Sequence, residues 1–235
     1  MRLKNYLFFA FGLSLTLLMT AFAHYRNSVR LVEKITVEFE AQQSQFLNDS
    51  IVNKLLIQNK GALTWEAKDS LVLSKLEHLL ENDPYVKNAD VYHFQQGVLG
   101  VRIQEKKAII RIQGPKQYYM DSSGDFFPIS KNYTPKVPLY WGTLEEEQKP
   151  DLLFLVDQLN ADPFLRNELA SIQYRSNSFF IGLRSFGFEV EIGQVRRLKE
   201  KISKLKVFCA YRESHPSTTE FSRINLKFKN QVVGS

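Results

Sequence analysis

Four histidines, His24, His78, His93 and His215, are the residues of this 235-residue chain best suited to proton transfer or zinc ligation. They stand far apart in the sequence, with none of the close spacings that gather imidazoles around one ion, so solvated or core histidines are expected. Ser214 beside His215 sets a nucleophile next to a base, but both lie in the polar stretch from Glu213 to Thr219, which has the composition of a turn. Cys209, the single cysteine, continues the apolar series Val195, Leu198, Ile202 and Leu205 and suits a small buried hydrophobe better than a reactive thiol. With one cysteine there is no intramolecular disulfide and no cysteine-rich zinc site. Glu145-Glu146-Glu147 offers neighbouring carboxylates; at the opening of a helix they also complement its macrodipole. No GxSxG, HExxH or GxxxxGK[ST] pattern occurs. The sequence speaks against an enzyme, and neither a cofactor, a metal site nor a small-molecule substrate is expected.

Two features suit binding instead. One is the basic helix carrying Arg196, Arg197, Lys199, Lys201, Lys204 and Lys206. Lysines solvated opposite a packed stripe account for it, and so does attraction to anionic lipid headgroups. Nucleic acid is not expected as a partner, because the topology argued below removes this part of the chain from the cytoplasm. The other is a terminal strand from Phe221 to Val233, with Ile224, Leu226 and Phe228 alternating with Asn225, Lys227 and Lys229. A last strand at a sheet edge has unpaired backbone groups that can accept a partner's strand, although edge lysines also serve to discourage aggregation.

The elements that would position these residues begin with an apolar segment, Tyr6 to Ala23, free of charge and proline. As a helix it spans about 27 Å, close to a hydrocarbon core of roughly 30 Å. Tyr6, Leu13, Leu18 and Ala23 mark its length as a membrane anchor. Ala21-Phe22-Ala23 also has the form a signal peptidase accepts, but the run exceeds the usual apolar region of such peptides. The short arm of residues 1–5 favours a cytoplasmic N-terminus with the rest translocated.

After the anchor the order is β-α-α-β-β. Ile35, Val37 and Phe39 alternate as a strand, Asn48-Asp49-Ser50 caps a helix ending at Gly61, and Asp69 caps a second that closes near Pro84. Strands follow from Val86 to Phe94 and from Val98 to Ile112, joined at Gln95-Gln96-Gly97. A second unit is expected after a hinge at Gly114-Pro115. It holds a hairpin turning at Asp121-Ser122-Ser123-Gly124, a loop ending at Trp141-Gly142, a helix from Glu145 to Asn160, short strands around Ile172, Phe179 and Val190, a helix from Val195 to Cys209, and the terminal strand. The expected class is α+β.

Several short runs, in order, resemble a known family. Leu76-Glu77, Asp83-Pro84-Tyr85-Val86 and Ala89-Asp90-Val91 are followed by Gln104-Glu105-Lys106-Lys107-Ala108, where Lys107 replaces a usual proline. Tyr119-Met120-Asp121 with Gly124, Val137-Pro138-Leu139 with Gly142, Gly193 before the basic helix, and the ending Arg223 to Val233 continue the series. Together they resemble the bacterial cell-division family FtsQ/DivIB, the ending being especially like members from Bacteroidetes. The resemblance implies a cytoplasmic tail (1–5), a transmembrane helix (6–23), a POTRA-like domain (32–112) and a mixed, strand-rich β domain of the FtsQ/DivIB type (115–233). It further implies a non-enzymatic divisome scaffold in the cell inner membrane, with periplasmic domains and a place at the division septum. FtsB/FtsL-type proteins are the implied partners, received by strand addition along Asn225, Leu226, Lys227, Phe228, Lys229, Asn230, Gln231 and Val232. The alternative is a POTRA-containing envelope assembly or secretion component, against which stands the lack of any β-barrel signature after the POTRA-like unit.

Overall fold

Buried side chains fall on odd positions at Leu99, Val101 and Ile103 and on even positions at Ala108, Ile110 and Ile112. Successive residues of a strand face opposite sides, so one strand serving one core cannot change parity midway. The expected strand from Val98 to Ile112 is accordingly two, β3 (Val98–Glu105) and β4 (Ala108–Gln113), in different sheets. Contacts divide the chain at the same place, into Met1–Glu105 and Lys106–Ser235, rather than at Gly114-Pro115. Gly114 and Pro115 instead lie in the turn joining β4 to β5 (Gln117–Asp121), and a Cβ on Gly114 would stand 2.9 Å from the carbonyl oxygen of Gly142. The computed structural model describes residues 2–28, 34–40, 46–58, 70–93, 98–215 and 221–235. The helix stop expected at Gly61, the cap at Asp69, the Gln95-Gln96-Gly97 turn and the polar residues 216–219 lie outside them.

In the first unit α1 (Arg2–Ser28) contains the stretch Phe8–Tyr25, long and apolar enough to cross a membrane and nowhere buried. Its two threonines are satisfied within the helix: the Thr16 hydroxyl donates to the Leu13 carbonyl at 2.8 Å and Thr20 to Leu17 at 2.9 Å. Such internal pairing is what a lipid environment demands. The remainder is β1 (Lys34–Phe39), α2 (Asp49–Gln58), α3 (Ser70–Glu81), β2 (Val86–His93) and β3, a β-α-α-β-β order. The sheet runs β1-β3-β2, with β1 parallel and β2 antiparallel to β3. Val52, Leu56, Leu76 and Leu80 pack from the helices onto Ala89, Val91, Leu99, Val101 and Ile103. Asn48 caps α2 by accepting from the Ile51 N–H at 2.9 Å. Glu77 and Glu105 tie segments distant in sequence together, while Asp83 shapes the turn between α3 and β2. Glu77 accepts the Val91 N–H at 3.0 Å, and Asp83 that of Tyr85 at 3.0 Å. Glu105 accepts the N–H groups of Phe46 and Leu47 at 3.1 and 2.7 Å.

The second unit is a nine-stranded sheet. Besides β4 and β5 it contains β6 (Phe126–Pro128), β7 (Leu139–Trp141), β8 (Leu169–Arg175), β9 (Ser178–Leu183), β10 (Glu189–Gly193), β11 (Arg223–Asn225) and β12 (Val233–Gly234). Their spatial order is β12-β11-β10-β9-β8-β7-β4-β5-β6. Asp121 builds the β5–β6 turn, its buried carboxylate accepting from the N–H groups of Ser123 and Asp125 at 2.9 and 3.0 Å, while Gly124 takes a φ of +86°. The residues expected as loop before Gly142 form β7, parallel to both β4 and β8, with Tyr140 buried and its hydroxyl 3.1 Å from Gln148 Oε1.

The helix expected from Glu145 opens as a 3-10 turn, Glu146–Gln148, before α4 (Lys149–Ala161). A short α5 (Pro163–Glu168) was not expected; Asp162 caps it by accepting from Phe164 and Leu165 N–H. Leu152, Leu155, Val156 and Leu159 of α4 and Leu198, Ile202, Leu205 and Cys209 of α6 (Leu198–Ser214) share one core with Ile110, Ile172, Ile181, Val190 and Ile224.

Candidate protein-interaction edge

The C-terminal sheet edge is built by β11 lying parallel to β10, with Glu189, Val190 and Glu191 opposite Arg223, Ile224 and Asn225. Ile224 is fully buried, and the core it joins fixes the register. Above it the side chains form ion pairs on the open face. Glu189 joins both Arg175 and Arg223, and both guanidiniums stand over the Phe180 ring, the closer 3.8 Å from its centroid. Glu191 accepts from Asn225 Nδ2 at 3.0 Å and pairs with Lys227 Nζ at 2.6 Å.

The terminal strand expected from Phe221 to Val233 is corrected here: it stops at Asn225. The Asn225 carboxamide oxygen accepts the Lys227 N–H at 2.9 Å, a local bond that turns the chain out of the ladder. Asn230 then takes a φ of +56°, and Lys204 of α6 reaches the carbonyl oxygens of Leu226, Phe228 and Gln231 at 3.1, 2.6 and 3.3 Å. The chain returns as β12, antiparallel to β11. Of the residues expected as contacts, Leu226 is fully buried and Val232 packs on the core. Lys227 is ion-paired, and Phe228, Lys229, Asn230 and Gln231 form an exposed turn, with Phe228 47% exposed. Only Asn225 of the eight stands in a strand.

Neither β12 nor the Lys204 clasp is expected from the sequence, since one lysine among four in a basic helix carries no mark of its target. Arg223 and Ser235 exchange both backbone bonds, at 3.1 and 2.9 Å, so Ile224 and Gly234 form the non-bonded pair between them. In an antiparallel ladder this turns the N–H and C=O of Gly234 away from β11, toward the open edge. A Cβ on Gly234 would come within 2.4 Å of the Phe221 ring, so β12 lies flush against it.

The rest of the basic helix is partly structural. Lys201 is 5% exposed and donates to the Gln194 carbonyl at 2.6 Å, Lys206 pairs with Asp162 at 2.6 Å, and Lys199 is exposed. The Lys206 ammonium bond holds the Asp162 carboxyl below its ordinary pKa, against an opposing contribution from burial. Cys209 is buried, and burial, with Glu213 and Glu168 nearby, raises its thiol pKa to about 12. His24, His78 and His215 sit on or beside three different helices, and among the described residues no three His, Cys, Asp or Glu are grouped to hold a metal ion. The anchor residues Tyr6, Leu13, Leu18 and Ala23 lie along α1, exposed, and the helix continues unbroken through Ala21-Phe22-Ala23.

No curated protein matches the chain. A family profile described as FtsQ/DivIB, C-terminal related, matches residues 107–235, more than half of the chain, and begins one residue inside the second compact unit. That family comprises non-enzymatic, membrane-anchored division proteins, with which the apolar α1 is consistent. The nine-stranded unit with its C-terminal edge is thus the matched region, and this chain belongs to the FtsQ/DivIB, C-terminal related family of cell-division proteins.

Proposed function

We propose that this chain is a divisome scaffold of the inner membrane, spanning it once through α1 with the two sheet-bearing parts that follow in the periplasm, and that it captures FtsB/FtsL-type partners by strand addition at β12. The β-α-α-β-β unit has the element order of a POTRA domain, and its role here is that of a POTRA-like module. The observation carrying the proposal is the open backbone of Gly234 at the edge of the matched unit, beside the exposed turn from Lys227 to Gln231. A partner strand laid on β12 gains backbone hydrogen bonds there, while Phe228 and Val233, both substantially exposed, offer apolar contact. The earlier contact set, Asn225 to Val232, narrows to its exposed members and extends to Val233 and Gly234. Partners held to the same bilayer meet at high effective concentration, so a modest strand affinity suffices.

Depletion of the protein with a fluorescent full-length copy as the complementing form tests the role. Filamentous cells on depletion and a midcell band of the copy are expected. Cells of normal length that instead lose outer-membrane β-barrel proteins would overturn it in favour of an envelope-assembly role.

A further inference from the structure

A recess of about 580 Å³ opens where α6 begins, and four cations line it: Arg196, Arg197, Lys201 and Lys227. Among the described residues no carboxylate lines it. Two act on its margin, Glu191 pairing with Lys227 at 2.6 Å and Glu200 with Arg197 at 3.5 Å. Arg196 is exposed and has no ion pair among the described residues. Lys201 is buried, and the Gln194 carbonyl uses one of its three donors. Burial disfavours its charge, and Arg197 and Lys204 add to the penalty against a smaller favourable contribution from Glu200. A lysine that merely decorated a solvated helix face would extend into water; this one keeps an ammonium beside other cations in a lining that is mostly polar.

We infer that the recess is a binding site for a phosphate-class anion, held by Arg196, Arg197 and Lys201. Two guanidinium groups offer the paired donors that match phosphate oxygens, and the buried ammonium adds a fixed point charge to the same lining. The anion returns to Lys201 the countercharge that the protein withholds. The three anchoring side chains lie outside the partner edge, which meets the recess only at Lys227, and the same chemistry is presented by free phosphate esters and by anionic lipid headgroups.

Backbone hydrogen exchange from Gln194 to Lys201, measured on the full chain in nanodiscs, separates the two sources. In zwitterionic discs inorganic phosphate is compared with sodium chloride at equal ionic strength; in a second arm the discs contain phosphatidylglycerol and no phosphate is added. The comparison variant is Arg196→Gln with Arg197→Asn. Among the described residues Arg196 has no ion pair to lose, Arg197 gives up its solvent-exposed pair with Glu200, and Asn tolerates the φ of +53° at residue 197. Lys201→Met is the second variant. Exchange slowed at least about fivefold by phosphate, and restored to the chloride rate in both variants, assigns a free-phosphate ligand. Slowing only in phosphatidylglycerol discs, again lost in both variants, assigns a headgroup. No slowing in either arm, or slowing that both variants retain, overturns the site.

Discussion

Lys204 Nζ lies 2.6 Å from the carbonyl oxygen of Phe228 and binds two further carbonyls of the same turn, so helix α6 holds the loop that precedes the sheet's last strand. Hydrogen bonds from a charged donor each contribute about 1.5–3 kcal/mol when well desolvated; here one is partly buried and two are exposed. Lys204→Met keeps the stem and removes the donors. It should speed amide exchange across Phe228 to Ser235 by at least about tenfold, leaving the exchange of β8, β9 and β10 unchanged, a contrast that residue-resolved exchange measures directly.

Phe228 is presented by that clasp with nearly half its surface in water. If partners dock beside β12, Phe228→Ala should weaken capture of the FtsB/FtsL-type segment about tenfold, the usual order for an exposed aromatic anchor. The thermal midpoint should move little, because the side chain joins no core. Calorimetric titration against the full chain in detergent gives both numbers. Equal affinity in the variant removes Phe228 from the contact set.

Gly234→Ala tests how closely β12 must approach its support. The new methyl would meet the Phe221 ring at 2.4 Å, and that ring packs against Phe208 and Arg212. The expected result is loss of the Arg223–Ser235 bonds and a stability deficit of about 1–3 kcal/mol in chemical denaturation. Phe221→Ala in the same chain should recover part of the deficit, and the double-mutant cycle reports the coupling. Purely additive losses would mean that the ring and the strand do not meet.

The helices were legible because their stripes repeat: Leu152, Leu155, Val156 and Leu159 are all fully buried, as the periodicity requires. The domain junction was also written in the sequence, in the parity change between Ile103 and Ala108 and in the weak strand formers between them, but the lack of any glycine or proline there concealed it. The terminal edge was harder. Ile224 and Leu226 alternate correctly, and what ends the strand is a single Asn225 side-chain bond together with carbonyls gathered by a lysine far away in sequence. Tertiary contacts of this kind leave no local pattern. The same holds for Lys201, whose place in a basic run suggested solvent and whose packing encloses it.

Cys209 should be inert in the folded protein. It is 1% exposed, and its thiol pKa of about 12 leaves almost no thiolate at pH 8. A chromogenic disulfide reagent should label none of it in native buffer and one equivalent in denaturant. Rapid native labelling would restore the reactive-thiol reading.

Lys201 gives the pH test with the clearest sign. Its pKa in the fold is lowered, first by burial and then by Arg197 and Lys204, while the unfolded chain holds an ordinary lysine near 10.4. Between the two values the unfolded state binds more protons, so stability rises with pH there; below both, the full penalty is present. At pH 7, in low-salt buffer without phosphate, Lys201→Met should therefore be at least as stable as the parent, since an apolar isostere replaces an isolated buried charge. The gain should shrink as the pH is raised through the folded pKa toward 10.4, where the parent's lysine is neutral in the fold. Thermal midpoints of both proteins from pH 7 to 10.5 measure this difference. A variant that is less stable at pH 7, with a deficit constant across the range, would mean that the Gln194 bond outweighs the burial of the charge.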